Sequence, residues 1–281
     1  MKIVRTILEA REFARAARRN GKSLGLVPTM GALHEGHLSL VRAARAKSAA
    51  VVVSIFVNPT QFGPKEDFSK YPRNLDRDCD LLEREGVDLV FAPSVDEMYP
   101  KAGVTWVEVE SLSDRLCGKS RPGHFRGVTT VVAKLFHIVE PDMAFFGQKD
   151  AAQVAIIRRM VRDLDFPVRI EVCPIVREAD GLALSSRNAY LSPEERKSGL
   201  VLYRSLMTVK KLFDGGERDS ARLIAMAQKE FADGATMRLD YFQIVDPDTL
   251  ESQPVINRPV LVAVAGLAGK TRLIDNILLG P

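Results

Sequence analysis

Two histidines, His34 and His37, stand three residues apart in the stretch Pro28-Thr29-Met30-Gly31-Ala32-Leu33-His34-Glu35-Gly36-His37. A short apolar run, Leu24 to Val27, precedes it and reads as a buried strand; Leu38 to Lys47 follows and reads as a helix. The first turn of a helix exposes unpaired N–H groups and the positive end of the helix dipole, both of which attract anions such as phosphate. Imidazoles at that point supply hydrogen bonds or charge near neutral pH, so the spacing points to a polyphosphate site. Gly31 and Gly36 permit close backbone approach to such a ligand. A surface pair without a role, or half of a metal site, is the alternative, although no third His or Cys lies nearby to complete a metal site.

Other stretches carry polar groups in similar places. Phe56-Val57-Asn58-Pro59-Thr60-Gln61-Phe62-Gly63 leaves the end of an apolar strand, where ligands of open parallel sheets bind. Gln61 offers one acceptor and two donors there, suited to a hydroxyl together with a carboxylate; an ordinary Asn-Pro turn is the plainer reading. Phe145-Phe146-Gly147-Gln148-Lys149-Asp150 again runs from strand into helix, with Gln153 one turn on. Lys149 would bring a point charge to phosphates, and Asp150 either joins the site or caps the helix. Leu184-Ser185-Ser186-Arg187-Asn188 is a compact set of hydrogen-bond donors for a phosphoryl group or simply a polar loop. Arg121-Pro122-Gly123-His124-Phe125-Arg126-Gly127 reads equally as an anion-contacting lid or a plain loop.

These groups need a scaffold, and the apolar periodicity supplies one. Thr6 and Glu9 can form a capping box for a helix through about Arg19. Strands are expected at Leu24–Val27, Val51–Val57, Val87–Ala92, Met143–Phe146 and Val168–Cys173. Helices are expected over Leu38–Lys47, from Asn74 to Gly86, and over Ala151–Leu164. Val128, Val131, Val132, Leu135, Phe136 and Val139 follow helical spacing and predict a core-facing helix ending before Pro141. Apolar strands without alternation, separated by helices, predict an α/β fold with a parallel sheet covered on both faces. Beyond residue 176 the pattern changes. Ser192-Pro193-Glu194-Glu195 starts a helix over about 193–212, Asp214-Gly215-Gly216 breaks it, and another spans about 218–232. Strand-like runs at Arg238–Val245, Val260–Ala265 and Thr271–Leu278 complete a smaller α+β unit. The expected division is 1–176 and 177–281.

Composition narrows the class. The 281 residues, 46% hydrophobic and 27% charged, are those of a soluble globular protein. The net charge of +4 comes without a Lys/Arg block, so no nucleic-acid partner is expected. Cys79, Cys117 and Cys173 are too scattered for a disulfide framework or a zinc site, which suits the cytoplasm. No apolar run approaches a membrane span and no signal peptide is apparent.

Taken together, the stretches from Pro28 to His37, Phe56 to Phe62, Tyr71-Pro72-Arg73, Arg121 to Val128, Phe146 to Asp150, Arg177 to Asn188 and Thr271-Arg272-Leu273-Ile274-Asp275-Asn276 resemble the pantothenate synthetase (pantoate–β-alanine ligase) family, in order, from near residue 24 to the C-terminus. The His-x-Gly-His element alone is shared with many nucleotidyltransferases and class I aminoacyl-tRNA synthetases. The resemblance implies a Rossmann-like parallel sheet of the HxGH nucleotidyltransferase type, a smaller C-terminal lid domain and a homodimer. It implies an AMP-forming carbon–nitrogen ligase in the pantothenate and coenzyme A pathway: ATP and pantoate give pantoyl adenylate and pyrophosphate, β-alanine then displaces AMP, and Mg2+ accompanies ATP. By the same resemblance Met30, Gly31, Ala32, Leu33, His34, Glu35, Gly36 and His37 line the ATP site, with His34, His37 and Lys149 catalytic and His37 the proton donor. Gly147, Gln148, Lys149 and Asp150 contact ATP, Val176 reads the adenine edge, and Leu184, Ser185, Ser186 and Arg187 close over the triphosphate. Gln61 and Gln153 hold pantoate, and Gln61 also borders β-alanine.

Three positions depart from the family pattern: Gln148 where Glu is common, Ala151-Ala152 in place of an aromatic-Gln pair, and Leu184 where Met is usual. Gln148 removes a negative charge near the expected phosphates, so ATP or magnesium affinity is expected to differ modestly. The metal ligands stay unassigned; Asp76 and Asp78 are candidates, yet Asn74-Leu75-Asp76 also reads as an ordinary helix start. A nucleotidyltransferase making an activated alcohol would share His34 and His37 but leave Gln61, Gln153 and the Ser-Ser-Arg loop unexplained. An RNA-binding relative would need a basic appendage that the C-terminal residues lack.

Overall fold

A computed structural model describes residues 1–64, 66, 68–100, 103–231 and 237–280. Its first part alternates strand and helix: β1 (Lys2–Val4), α1 (Ile7–Arg19), β2 (Leu24–Thr29), α2 (Glu35–Lys47), β3 (Ala50–Ile55), α3 (Leu75–Arg84), β4 (Leu89–Phe91), two short helices α4 (Val95–Met98) and α5 (Cys117–Ser120), α6 (His124–Val139), β5 (Met143–Gly147), α7 (Ala151–Asp163) and β6 (Arg169–Cys173). The six strands form one parallel sheet in the order β1-β4-β3-β2-β5-β6. The chain moves outward from β2 through β3 to β4, then crosses to β5 on the other side of β2. That reversal opens a crevice at the carboxyl ends of β2, β3 and β5, the place where such sheets bind ligands.

Each of the central strands buries both faces. Leu24, Leu26, Val52, Leu89, Phe91, Ala144 and Phe146 pack with Ala10 and Ala14 of α1, with α6 and with α7. Their neighbours Val27, Val51, Val53, Val90 and Phe145 pack with Leu38, Val41 and Ala44 of α2 and Leu82 of α3. Period-two alternation thus sorts apolar residues between two helical layers, each buried Val, Leu or Phe contributing about 1.5–3 kcal/mol.

The second part contains α8 (Pro193–Asp214), α9 (Ser220–Gln228), β7 (Arg238–Val245), β8 (Val260–Ala268) and β9 (Thr271–Leu279), the strands forming an antiparallel sheet with β8 central. Val260, Val262 and Val264 face Val201, Leu202, Leu206 and Leu223 of α8 and α9. Leu261 and Ala263 join the core of the first part instead. The small sheet is therefore clamped between its own helices and the larger layer. Arg115 pairs with Glu251, and the Ser120 hydroxyl donates to Asp240, to fasten the seam.

The expected capping boxes at Thr6 and Ser192 are present, and Asn74 accepts from the Arg77 N–H. Other boundaries differ from the expected ones. α2 begins three residues early because His34 caps it, and β3 stops at Ile55. His124 to Gly127 form the first turn of α6 rather than loop. α9 ends at Gln228, followed by a short 3-10 turn; the last expected helical residue, 232, lies outside the described residues. β1, an addition to the expected strands, is too short to carry a periodic signal. Among the described residues no helix is long and apolar enough to cross a membrane.

Candidate active site

The turn after β2 is tied down before it reaches the histidines. Gly31 and Ala32 both take positive φ, +82° and +50°. A Cβ on Gly31 would also meet Asp78 Oδ2 at 3.0 Å, so glycine is required there. Asp78, fully buried on α3, accepts the N–H groups of Ala32 and Leu33, each at 2.8 Å. Its carboxylate is thereby spent on the loop, which removes it as a metal candidate. Burial pushes its pKa up against the pull of those hydrogen bonds.

His34 then caps α2 with its ring: Nδ1 accepts the Gly36 N–H at 3.1 Å. His37 completes the box, its Nδ1 accepting the His34 N–H at 3.4 Å. An imidazole pair does here what Ser and Glu do in an ordinary capping box. Since Nδ1 is the acceptor in both rings, each neutral ring carries its proton on Nε2. The ring centroids lie 4.1 Å apart. Burial, then the neighbouring charges of His34 and Lys149, push His37 down to about 3; burial and Lys149 push His34 down to about 4. Both rings are neutral hydrogen-bond donors, not cations, in the ligand-free protein.

The turn after β3 brings Gln61 to the same place. Gln61 is buried, its Oε1 accepting from Asn58 Nδ2 at 3.2 Å and its Nε2 pointing to Met30 Sδ at 3.0 Å. Its backbone carbonyl accepts from His124 Nδ1 at 2.8 Å, and Arg121 bridges His124 to Glu66. Burial, then the Arg121 charge, hold His124 near 4. The stretch from Arg121 to Gly127 is thus neither lid nor idle loop; it buttresses Gln61.

Lys149 follows β5 and has no carboxylate partner among the described residues. Asp150 holds the cap position of α7 without a side-chain capping bond, so it is not spent on the helix. Val176 and Leu184 are paired across a tight turn, Leu184 N–H donating to the Val176 carbonyl at 3.0 Å. That leaves the Val176 N–H for a ligand. Ser186 lies 3.2 Å from the Tyr71 hydroxyl, so the Ser-Ser-Arg loop already rests on the first part of the chain.

These groups surround a cavity of about 230 Å3 lined by Met30, His34, Gly36, His37, Gln61, Gly147, Lys149, Asp150, Gln153, Val176, Leu184, Ser185, Ser186 and Arg187. It adjoins a larger chamber of about 890 Å3 between the two sheets, which shares Arg121, His124, Lys149, Asp150, Gln153, Ser185 and Arg187. Five expected residues stand outside both linings. Leu33 is core, Gly31 and Ala32 shape the turn, and Glu35 is exposed and paired with Arg42. Gln148 donates from Nε2 to Asn276 Oδ1 at 3.0 Å, and Asn276 returns bonds to the carbonyls of Gln148 and Lys149. Its missing negative charge therefore bears on the seam with β9, not on the cavity. Gln148→Glu is expected to cost about 1 kcal/mol of stability through the lost donor, with ATP and magnesium dependence unchanged. A variant of wild-type melting temperature and altered magnesium dependence would reverse that reading.

Asn58, Asp78, His124 and Asn276 hold the cavity's turns in place, a task that residue spacing does not reveal. Each acts on a partner 45 or more residues away, except Asn58, whose Asn-Pro context reads as a turn.

The depressed histidines also set an acid limit to folding. A group whose folded pKa lies below its unfolded value contributes stability in full above the ordinary 6.5 and loses it as pH falls towards the folded value, here about 4 for His34 and His124. The melting temperature is expected to fall between about pH 7 and about pH 4.5, and to fall less in His124→Gln. A flat profile in the wild type would contradict this.

The comparisons with known proteins agree with this geometry. A family model described as pantoate-beta-alanine ligase matches residues 2–278. The pantothenate synthetase of Acidobacterium capsulatum is 66% identical over 259 residues, covering 92% of this chain and 87% of that protein. That of Koribacter versatilis is 58% identical, covering 99% and 96%. Among solved structures, the pantothenate synthetase of Thermus thermophilus superposes with a TM-score of 0.95 at 48% identity, covering 100% of both chains. The pantoate-beta-alanine ligase of Francisella tularensis, complexed with beta-gamma ATP and beta-alanine, gives 0.81 at 34% identity, covering 99% and 97%. The histidine-capped helix, the strand-end glutamine and the lysine after β5 thus sit in a chain that matches one family from end to end, and the chain belongs to the pantoate–beta-alanine ligase family.

Proposed function

We propose that this chain condenses pantoate with β-alanine at the expense of ATP, through pantoyl adenylate, in the cavity where β2, β3 and β5 end. The observation that carries the reading is the convergence of two Nε2–H donors, His34 and His37, with Lys149 beside a polar pocket holding Gln61 and Gln153. A pantoate carboxylate oxygen attacks the α-phosphorus of ATP, and the bond to the bridging oxygen of pyrophosphate breaks. This step needs positioning and charge stabilisation more than covalent help. His34, His37 and Lys149 supply both on the phosphates, and His37 donates from Nε2 as charge builds on the leaving oxygen. The Val176 N–H meets the adenine edge, Gly147 and Asp150 flank the nucleotide, and Leu184 to Arg187 cover the triphosphate. The β-alanine amine, bordered by Gln61, then attacks the acyl carbon; AMP leaves and the nitrogen loses a proton.

Mg2+ arrives with ATP as the counter-ion of its phosphates. Among the described residues no group of three His, Cys, Asp or Glu side chains could hold it unaided. Residues 1–176 form the ATP- and pantoate-binding domain and 177–281 the lid, whose docking through Leu261, Ala263 and the Asn276 bonds to Gln148 and Lys149 keeps water from the adenylate. The enzyme works in the cytoplasm as a homodimer. Pantoate carrying 18O in its carboxylate is expected to deliver one labelled oxygen to AMP; unlabelled AMP would overturn the adenylate route.

A further inference from the structure

Gln61 has two ends, and the residues around it decide which one the substrate meets. Asn58, fully buried, settles the matter through its bonds to a backbone N–H and a backbone carbonyl, groups with no choice of role. Its Oδ1 accepts from the Thr60 N–H at 3.3 Å, the Thr60 hydroxyl at 2.9 Å and the Tyr99 hydroxyl at 2.9 Å. Its Nδ2 donates to the Gly127 carbonyl at 3.1 Å, which can only accept. The remaining Nδ2 proton therefore points at Gln61 Oε1, 3.2 Å away, and turns that end of the amide towards Asn58. Only the Nε2 end of Gln61 is left for the cavity, where it rests against the Met30 thioether, a weak acceptor that a substrate oxygen would replace.

Two outer residues hold this arrangement. Tyr99 closes the polar side of Asn58. Gly127, on α6, lets the helix backbone lie directly on the 58–61 turn. A Cβ there would stand 2.3 Å from the Thr60 carbonyl oxygen and 2.7 Å from the Gln61 nitrogen. Both are backbone atoms and cannot swing aside as a side-chain tip does. We propose that Gly127 and Tyr99 are positioning residues which, through Asn58, aim the Gln61 NH2 group at an acceptor oxygen of the acyl substrate. The sequence-level view of Gln61 as donor and acceptor together is narrowed to donor alone.

This rests on the assignment of pantoate to Gln61, so wild-type enzyme must first show pantoate-dependent turnover; its absence would count against the function, not against the relay. Tyr99→Phe removes one oxygen and nothing else. It is expected to raise the KM for pantoate about fivefold, the loss of one buried hydrogen bond, with the KM for ATP within about twofold. Gly127→Ala is expected to lower kcat/KM for pantoate by at least about tenfold with the same selectivity. If Gly127→Ala does not fold, the Tyr99→Phe split decides by itself. Unchanged pantoate KM in Tyr99→Phe, or equal effects on both substrates, would overturn the proposal.

Discussion

Replacing His37 by alanine is expected to slow adenylate formation by about 10²- to 10³-fold, the usual cost of removing one preorganised donor from a developing oxyanion. The geometry makes this ring a donor. Its Nδ1 is committed to the His34 N–H, so the proton sits on Nε2, and burial keeps the ring uncharged in the free enzyme. A neutral donor in a desolvated site gains strength as charge accumulates on the leaving pyrophosphate, and gains little in the ground state. The loss should therefore fall on kcat more than on the KM for ATP. Alanine also removes one half of the helix cap, at a cost of about 0.5–1 kcal/mol, so folding should survive. His37→Gln keeps both an acceptor and a donor and should recover part of the rate. Full activity in His37→Ala would refute the role given to the ring.

Lys149→Ala is expected to reduce adenylation by a similar factor, about 10²-fold or more, for a different reason. In the proposed mechanism Lys149 brings a whole charge to the phosphates from the turn before α7, and its own carbonyl is held by Asn276 on the opposite sheet. Arginine in its place would carry the charge on a planar fork of other reach, so Lys149→Arg should restore only a fraction. A second effect separates this residue from simple ATP binding. Its charge is among the causes that keep His34 and His37 deprotonated. Without it both rings take up a proton at higher pH, so the acid limb of kcat/KM for ATP should move upwards. A slow variant with an unmoved acid limb would mean that Lys149 acts on the phosphates alone.

What can be read in the residues, and what cannot, divides along physical lines. Strands β2, β3 and β5 announce themselves because sheet burial on both faces demands unbroken apolar runs. The two-unit plan follows from Ser192-Pro193-Glu194-Glu195 and the change of pattern after it. The early start of α2 is hidden because imidazole is not an expected cap, and Glu35-Gly36 looks like loop. Asp78 gives no sign of its task, since the N–H groups it accepts lie 45 and 46 residues away. Glu35 and Leu33 enter the expected site with the Met30–His37 stretch that carries the resemblance, yet a helix turns one to solvent and the turn buries the other. Gln148 looks like a phosphate neighbour in the sequence, but its amide is spent on Asn276.

The central claim is that this cavity activates a carboxylate by adenylation before any amine is needed. Exchange of labelled pyrophosphate into ATP tests it most directly. Exchange that requires pantoate, proceeds without β-alanine and is lost in His37→Ala is the predicted result. A folded protein that binds ATP but shows no pantoate-dependent exchange would contradict the account.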